Sequence, residues 1–223
     1  MQKTKRGQST VTSIYDELRR AIAAGELREG VQLKQTAIGA QFGVSKIPVR
    51  EALTMLEADG FVEIQAGKGA TVTGVSAAEA LEIYLMRMAL EPMVLRHSLP
   101  NLTPIDLARA DAILHTIDSL ENISDQQWHM LDHEFHATLY QGAPHERMKR
   151  TVVMLHDNLA RYFAIYKSYG TPFRQTSDAE HRGMLAACQR NDVDAACEIL
   201  TQHLKDGSAK LQQFLEKSET AAG

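Results

Sequence analysis

Cysteine is scarce in this 223-residue chain, which has only Cys188 and Cys197, and their spacing is not C-x-x-C. They read as two reduced core thiols, and a disulfide scaffold or dithiol redox chemistry is excluded. No stretch approaches the roughly 18 to 20 uninterrupted apolar residues of a membrane span, and the opening MQKTKRGQST lacks the apolar region of a signal peptide. The expectation is a cytoplasmic protein with no membrane partner. Internal repeats and low-complexity stretches are absent. Histidine is missing from the first part altogether: all nine lie after residue 75, beginning with His97. What is present, 44% hydrophobic and 23% charged residues, is enough for a real core and excludes a disordered tail.

Charge divides the chain at the same place. Through residue 75 there are ten basic against eight acidic residues, and from 76 onward fourteen against twenty. A mildly basic head on an acidic body points to a polyanion-binding module joined to something else.

In the head, Ser13 to Ala24 repeats Ile14, Leu18, Ala21 and Ile22 at helical spacing and is stopped by Gly25. Thr36 is placed to cap a short helix ending near Phe42, Gly43-Val44-Ser45 reads as a tight turn, and Ser45 is placed to cap a further helix from Lys46 to about Asp59. Pro48 falls in that helix's first turn, where its missing N–H has no intrahelical partner to lose. On a wheel, Val49, Ala52, Leu53 and Leu56 share one face and leave Ile47, Arg50, Glu51 and Thr54 on the other. Helix, short turn, helix is the frame that inserts a recognition helix into the major groove, where an Arg donates two hydrogen bonds to guanine. Arg50 is the expected base reader. Phe61 to Gln65 and Ala70 to Thr73 alternate like two strands around Ala-Gly-Lys-Gly, a hairpin wing that carries Lys68 to the phosphate backbone.

The string VSKIPVREALTMLEADGFV, followed by GKGATV, resembles the winged helix-turn-helix of the GntR family of bacterial transcription regulators over about residues 10 to 75. That family reads approximately V-S-R-T-P-V-R-E-A-L-x-x-L-E-x-x-G-L-V, with R-G-A-x-V downstream. The resemblance implies that Lys46 and Arg50 touch DNA and that Gly67 shapes the wing tip. Lys46 stands where the family usually has Arg, and Ile47 where it usually has Thr. Lys lacks the planar fork, so a phosphate contact is expected at Lys46, while Ile47 suits a thymine methyl.

The body is nearly free of strand alternation. Helical segments run at about 76–98, 103–121, 125–141, 145–168, 176–190 and 192–217, separated by Pro100 and Pro104, Asn122 to Asp125, Gly142-Ala143-Pro144, Gly170-Thr171-Pro172 and Asn191-Asp192. The fold class expected is therefore mostly α: an N-terminal winged helix-turn-helix over 1–75 and an all-helical bundle of about six helices over 76–223.

Wheel geometry sorts the histidines. Asp132 lies inside the apolar stripe Trp128, Leu131, Phe135 and Leu139, His136 lies at its edge, and His133 points roughly away. His181 sits among Met184, Leu185 and Cys188, and His203 among Ala196, Ile199, Leu200, Leu211 and Phe214. Three inward helices thus supply one carboxylate and three imidazoles. A buried histidine needs partners or a metal, and this nitrogen-rich set suits a divalent transition ion, with zinc first and nickel or manganese as alternatives. Calcium and magnesium would want more oxygen donors.

LDHEFHATLY, then EHRGMLAACQRNDVDAACEILTQHL, resemble the FCD ligand-binding domain of the FadR branch of the same family. Its D-x-x-x-H, a later His after Glu, and a His some twenty residues on fall at Asp132, His136, His181 after Glu180, and His203. The resemblance implies a divalent metal at these four residues, often completed by a small carboxylate effector. Arg87 lies in YLMRMALEP, similar to the family's R-x-x-L-E-P, which places an effector-binding arginine there, while an Arg87–Glu91 pair along one helix fits the spacing equally well. The wheel sets Arg87 at the margin of an apolar stripe formed by Leu81, Tyr84, Leu85, Met88 and Leu95. His156 faces inward among Val152, Leu155, Leu159 and Phe163, either lining the effector cavity or packing in the core.

The function expected is a DNA-binding regulator, a repressor, that works as a homodimer on a two-fold operator and is controlled by a small organic acid at the metal. Two alternatives stay open. A helical-bundle metalloenzyme, a hydrolase, would use the same four residues to activate water, although four protein ligands leave little open coordination. A structural metal in a dimerisation module is the other.

Overall fold

The computed structural model describes residues 2–65, 69–120, 123–165 and 170–222. The chain falls into two compact units that divide between Val75 and Ser76. It is mostly helical, with one small sheet.

In the first unit, α1 (Gln2–Ala23) begins well before Ser13, because the polar opening contains no proline to stop the helix propagating. α2 (Gln35–Phe42) starts after Lys34, so Thr36 lies inside the helix and does not cap it. Gly43 ends α2 in the left-handed region at φ 65°, its N–H on the Ala40 carbonyl and that of Val44 on Gly39, a turn that glycine makes without strain. α3 (Lys46–Ala58) follows, with Ser45 at the N-cap position but without a side-chain cap bond. β1 (Gln32–Leu33), β2 (Val62–Gln65) and β3 (Gly69–Val72) form an antiparallel sheet in the order β1-β3-β2. β1 is too short to leave an alternation signal in the sequence. Val49, Ala52, Leu53 and Leu56 of α3 are buried against Ile14, Leu18 and Phe61, one core that fixes which face of α3 is left outside.

The second unit has six helices among its described residues: α4 (Ala77–Ser98), α5 (Pro104–Ser119), α6 (Asp125–Tyr140), α7 (Glu146–Ile165), α8 (Gly170–Gln189) and α9 (Val193–Ala222). Several starts are set by side chains. Ser76 accepts the Glu79 N–H, and Thr103 with Asp106 and Ser124 with Gln127 make reciprocal capping boxes. Packing runs in a closed ring, α4 on α9, α9 on α8, α8 on α5, α5 on α6, α6 on α7 and α7 back on α4. The interior of that ring is where the polar residues meet.

On α4 the wheel reading is rotated. Leu81 and Leu85 are 40% and 54% exposed, while Arg87 and Glu91 are buried with Ile83, Tyr84, Val94 and Leu95. Apolar residues occur all round this helix, so periodicity alone does not choose the inward side.

Candidate functional site

α3 presents Lys46, Ile47, Arg50 and Thr54 on its exposed face, with Ile47 71% exposed. Neither Lys46 nor Arg50 is held in an ion pair among the described residues, so both cations are available. Thr54 donates its hydroxyl to the Arg50 carbonyl at 3.0 Å, which leaves the hydroxyl oxygen free to accept. Gly67 and Lys68, assigned to the wing tip, lie outside the described residues.

In the second unit, Asp132 and His136 from α6, His181 from α8 and His203 from α9 converge. One donor atom from each lies within 4.8 Å of all the others, and all four residues are buried. His181 Nε2 is 3.2 Å and His136 Nε2 3.8 Å from Asp132 Oδ1, neither aligned as a hydrogen bond. The three rings face one another with centroids 4.7 to 5.3 Å apart.

The outer nitrogens are anchored. His203 Nδ1 is 2.7 Å from Glu180 Oε2, so it carries the proton and donates, leaving Nε2 with a lone pair. His136 Nδ1 is 3.3 Å from the Tyr140 hydroxyl, which itself donates to Glu91 Oε2 at 2.6 Å and therefore accepts from His136. This is how metal-ligating imidazoles are oriented, with one nitrogen tied to an acceptor and the other bare. Inside the cluster, Asp132 Oδ1, His136 Nε2 and both nitrogens of His181 are buried without hydrogen-bond partners. Burial pushes the His136 and His203 imidazoles toward the neutral form. Burial also works against the Asp132 charge, but the facing His181 and His136 rings outweigh it and hold the carboxyl well below its usual range. Neutral imidazoles and an ionised carboxylate are the forms that coordinate metal, so these residues fit a divalent transition ion.

Beside the cluster, Arg87 is 5% and Glu91 0% exposed, joined at 2.5 Å from Nε to Oε1. Burial opposes the charge on each, and each partner outweighs it for the other, so the guanidinium is raised and the carboxyl lowered. The arrangement contains the Arg87–Glu91 pair, and Arg87 also reaches inward, its Nη2 2.9 Å from His156 Nε2. His156 is 2% exposed, and burial with Arg87 nearby lowers its pKa to about 4. His133, read from the wheel as pointing away, is half-buried, with its ring centroid 5.0 Å from that of His156. Tyr140, the link between Glu91 and His136, and His129, which burial lowers to about 3, carried no signal in the sequence reading. An i, i+4 step from His136 to Tyr140 and from His129 to His133 is the spacing that could have exposed them.

At the start of α4, the Tyr162 hydroxyl on α7 meets the Ser76 backbone and Glu79 Oε2, both at 2.9 Å, while Arg161 donates to Glu79 Oε1 at 2.7 Å.

Residues 10–72 match the family described as bacterial regulatory proteins, gntR family, and residues 82–206 match the FCD domain. The transcriptional repressor RspR of Escherichia coli K12 is 27% identical over 206 residues, covering 92% of this chain and 90% of its own. Among solved structures, a GntR-family regulator from Pseudomonas syringae pv. tomato DC3000 is 30% identical at TM-score 0.58, covering 96% of this chain and 89% of that one. Escherichia coli McbR/YncC, at 21% identity, shares the fold at TM-score 0.74 over 92% and 97% of the two chains. FCD domains are known to bind metal and imply a small-molecule effector. No helix among the described residues is long and apolar enough to cross a membrane. A helix-turn-helix with two exposed cations on its outward face, followed by a helical ring enclosing three imidazoles and a carboxylate, belongs, as the matches over both units state, to the GntR family in its FCD form: the chain is a DNA-binding transcription regulator and not an enzyme.

Proposed function

We propose that this regulator is a repressor whose operator binding is controlled by a small carboxylate effector held at a divalent metal on Asp132, His136, His181 and His203. The observation that carries the reading is the set of buried donor atoms at that cluster left without hydrogen-bond partners, an arrangement that is costly unless a cation completes it. The nitrogen-rich set supports zinc first, with nickel or manganese as alternatives.

Charge permits an anionic effector once a cation is present. The charged groups around the cluster are the buried Asp132, Glu91 and Arg87 and the part-buried Glu180 on His203, two negative charges in excess. A divalent ion cancels that excess, so a carboxylate that enters meets a Lewis-acidic cation in neutral surroundings and not a negative field. The metal, when bound, supplies a Lewis-acidic anchor for that carboxylate, and the surrounding side chains orient and enclose it. Effector binding then shifts the operator equilibrium through differential affinity for two states.

On the DNA side, Arg50 reads guanine, Ile47 meets a thymine methyl, Thr54 accepts at a neighbouring base, and Lys46 binds phosphate, with Gly67 and Lys68 assigned to the wing. A homodimer matches a two-fold operator. Exposed Leu81, Leu85, Met86 and Met93 along α4 give an apolar surface of the kind an interface covers. RspR, whose name is that of a repressor, supports the sign of regulation.

Arg50→Ala should abolish specific binding to DNA selected by the wild-type protein while leaving metal content intact, and equal operator affinity in the two proteins refutes the assignment. A structural metal is separated by chelator titration: unfolding on metal removal, with no small acid altering melting or DNA affinity, favours it.

A further inference from the structure

The four-residue cluster does not use every buried imidazole around it. His156 Nε2 lies 2.9 Å from Arg87 Nη2. A guanidinium only donates, so Nε2 accepts, and a neutral ring with its lone pair at Nε2 carries its proton on Nδ1. That Nδ1–H is buried and has no partner. His133 Nε2 is buried and equally unpartnered, on a ring whose centroid is 5.0 Å from that of His156. His136, a member of the cluster, has its ring 5.7 Å from His156. Two orphaned nitrogens therefore sit next to the cluster but outside it, on rings from two different helices.

Arg87 does not answer for them. Its Nε and one Nη are committed to Glu91 and His156, so its part is to fix the tautomer of His156 and aim a donor, which makes it a positioning residue.

We infer that the effector is a short acid with two oxygen functions, a carboxylate at the metal and a second oxygen that accepts from His156 Nδ1–H beside His133. The inference rests on the proposed metal–carboxylate reading. A second carboxylate accepts from His156 and from a protonated His133 Nε2. A hydroxyl accepts from His156 and donates to His133 when that nitrogen holds a lone pair. An unsubstituted monocarboxylate leaves the His156 N–H orphaned. The second oxygen belongs on the β carbon or beyond, because an α-hydroxyl is drawn into chelation of the metal with its carboxylate.

The test is calorimetric titration of the zinc-loaded full chain with two matched pairs, propionate against 3-hydroxypropionate and butyrate against succinate. The member with the extra oxygen should bind about tenfold more tightly in at least one pair, the factor that one buried hydrogen bond carries. His156→Gln retains an acceptor for Arg87 but no donor at the Nδ1 position. It should erase that preference while zinc stoichiometry and propionate affinity stay at wild-type values. His133→Phe should weaken the preference by a smaller factor. Equal affinities within both pairs overturn the inference and leave the metal–carboxylate reading standing. A His156→Gln protein that loses all four acids alike overturns it too. If none of the four acids binds zinc-loaded wild type, the reading beneath falls, and the inference with it.

Discussion

Asp132→Asn exchanges one oxygen for an NH2 at almost no change in volume, yet its effect on stability should depend on metal. Asp132 is 7% exposed, and its Oδ1, His136 Nε2 and both His181 nitrogens are buried without hydrogen-bond partners. Each orphaned group costs about 1–3 kcal/mol. Four of them burden the metal-free interior by about 4–12 kcal/mol, comparable with the roughly 5–15 kcal/mol that holds a typical domain together. Zinc at about a thousandfold above its Kd adds about 4 kcal/mol by linkage. At about 2–4 °C per kcal/mol for a unit of this size, wild type should melt about 8–16 °C higher with zinc than in chelator. The measurement is thermal melting of wild type and Asp132→Asn at pH 8, above the range where imidazoles ordinarily titrate, each with zinc and with EDTA. In EDTA the amide gives up the charge that the His181 and His136 rings favour, so the variant should melt at or a few degrees below wild type. In zinc it lacks the anionic donor, and the gap between the two conditions should fall to under about 4 °C. A parallel drop in both conditions, with the wild-type gap preserved, refutes the reasoning.

Lys46→Ala should weaken DNA binding about equally for all sequences and reduce the salt slope by about one, as loss of a phosphate contact does; a changed sequence preference with an unchanged slope contradicts a phosphate role. The metal-free protein should lose stability in acid for a reason other than carboxylate protonation. His156 is lowered to about 4 and His129 to about 3 from an ordinary 6.5, chiefly by burial, so below pH 6.5 the unfolded chain takes up protons that the folded chain refuses. Stability is then flat above pH 6.5 and falls by about 1.4 kcal/mol per pH unit per histidine down to the folded values. Urea midpoints in EDTA at pH 7.5 and pH 5 check this, and a midpoint that rises toward pH 5 has the wrong sign.

How far the sequence reached depended on how many alternatives each pattern allowed. α3 was legible because Val49, Ala52, Leu53 and Leu56 leave one choice of inward face, and Gly43 fixes the turn before it. Asp132 and His136 are one helical turn apart, and His181 and His203 are each flanked by apolar residues, so the local pattern put all four on inward faces and the helix ring brings them together. α4 was read a step out of phase, since Leu81 and Leu85 look like core until something else covers the interior, and here Arg87 and Glu91 do so as a neutralised pair. His133 was misread for a related reason. A wheel measures orientation against its own helix's apolar stripe, and the space it enters is made by α7 through His156. The Tyr140 link was invisible because its partner Glu91 is forty-nine residues away.

The ring also gives the proposed effector site a physical route to the residue where the body begins. Arg87 and Glu91 lie on α4, which is capped at its start by Ser76, and His156 lies on α7, whose Tyr162 hydroxyl meets the Ser76 backbone. The start of α4 and the Tyr162 end of α7 therefore share polar contacts at Ser76 and Glu79, immediately after the break between the two units. If that convergence carries coupling, Tyr162→Phe should leave zinc stoichiometry and acid affinity near wild type while shrinking the acid-induced change in operator affinity, which in coupled systems of this size spans about 5- to 150-fold. Tyr162 is fully buried and the lost hydrogen bonds are worth about 1–2 kcal/mol, so the protein remains folded and the comparison can be made. Anisotropy titrations of labelled operator, with and without saturating acid, give the two affinity ratios. A ratio in Tyr162→Phe equal to that of wild type refutes a route through Ser76 and leaves α4 alone to carry the signal, because a chain of contacts counts as a coupling path only when breaking it changes the coupling free energy.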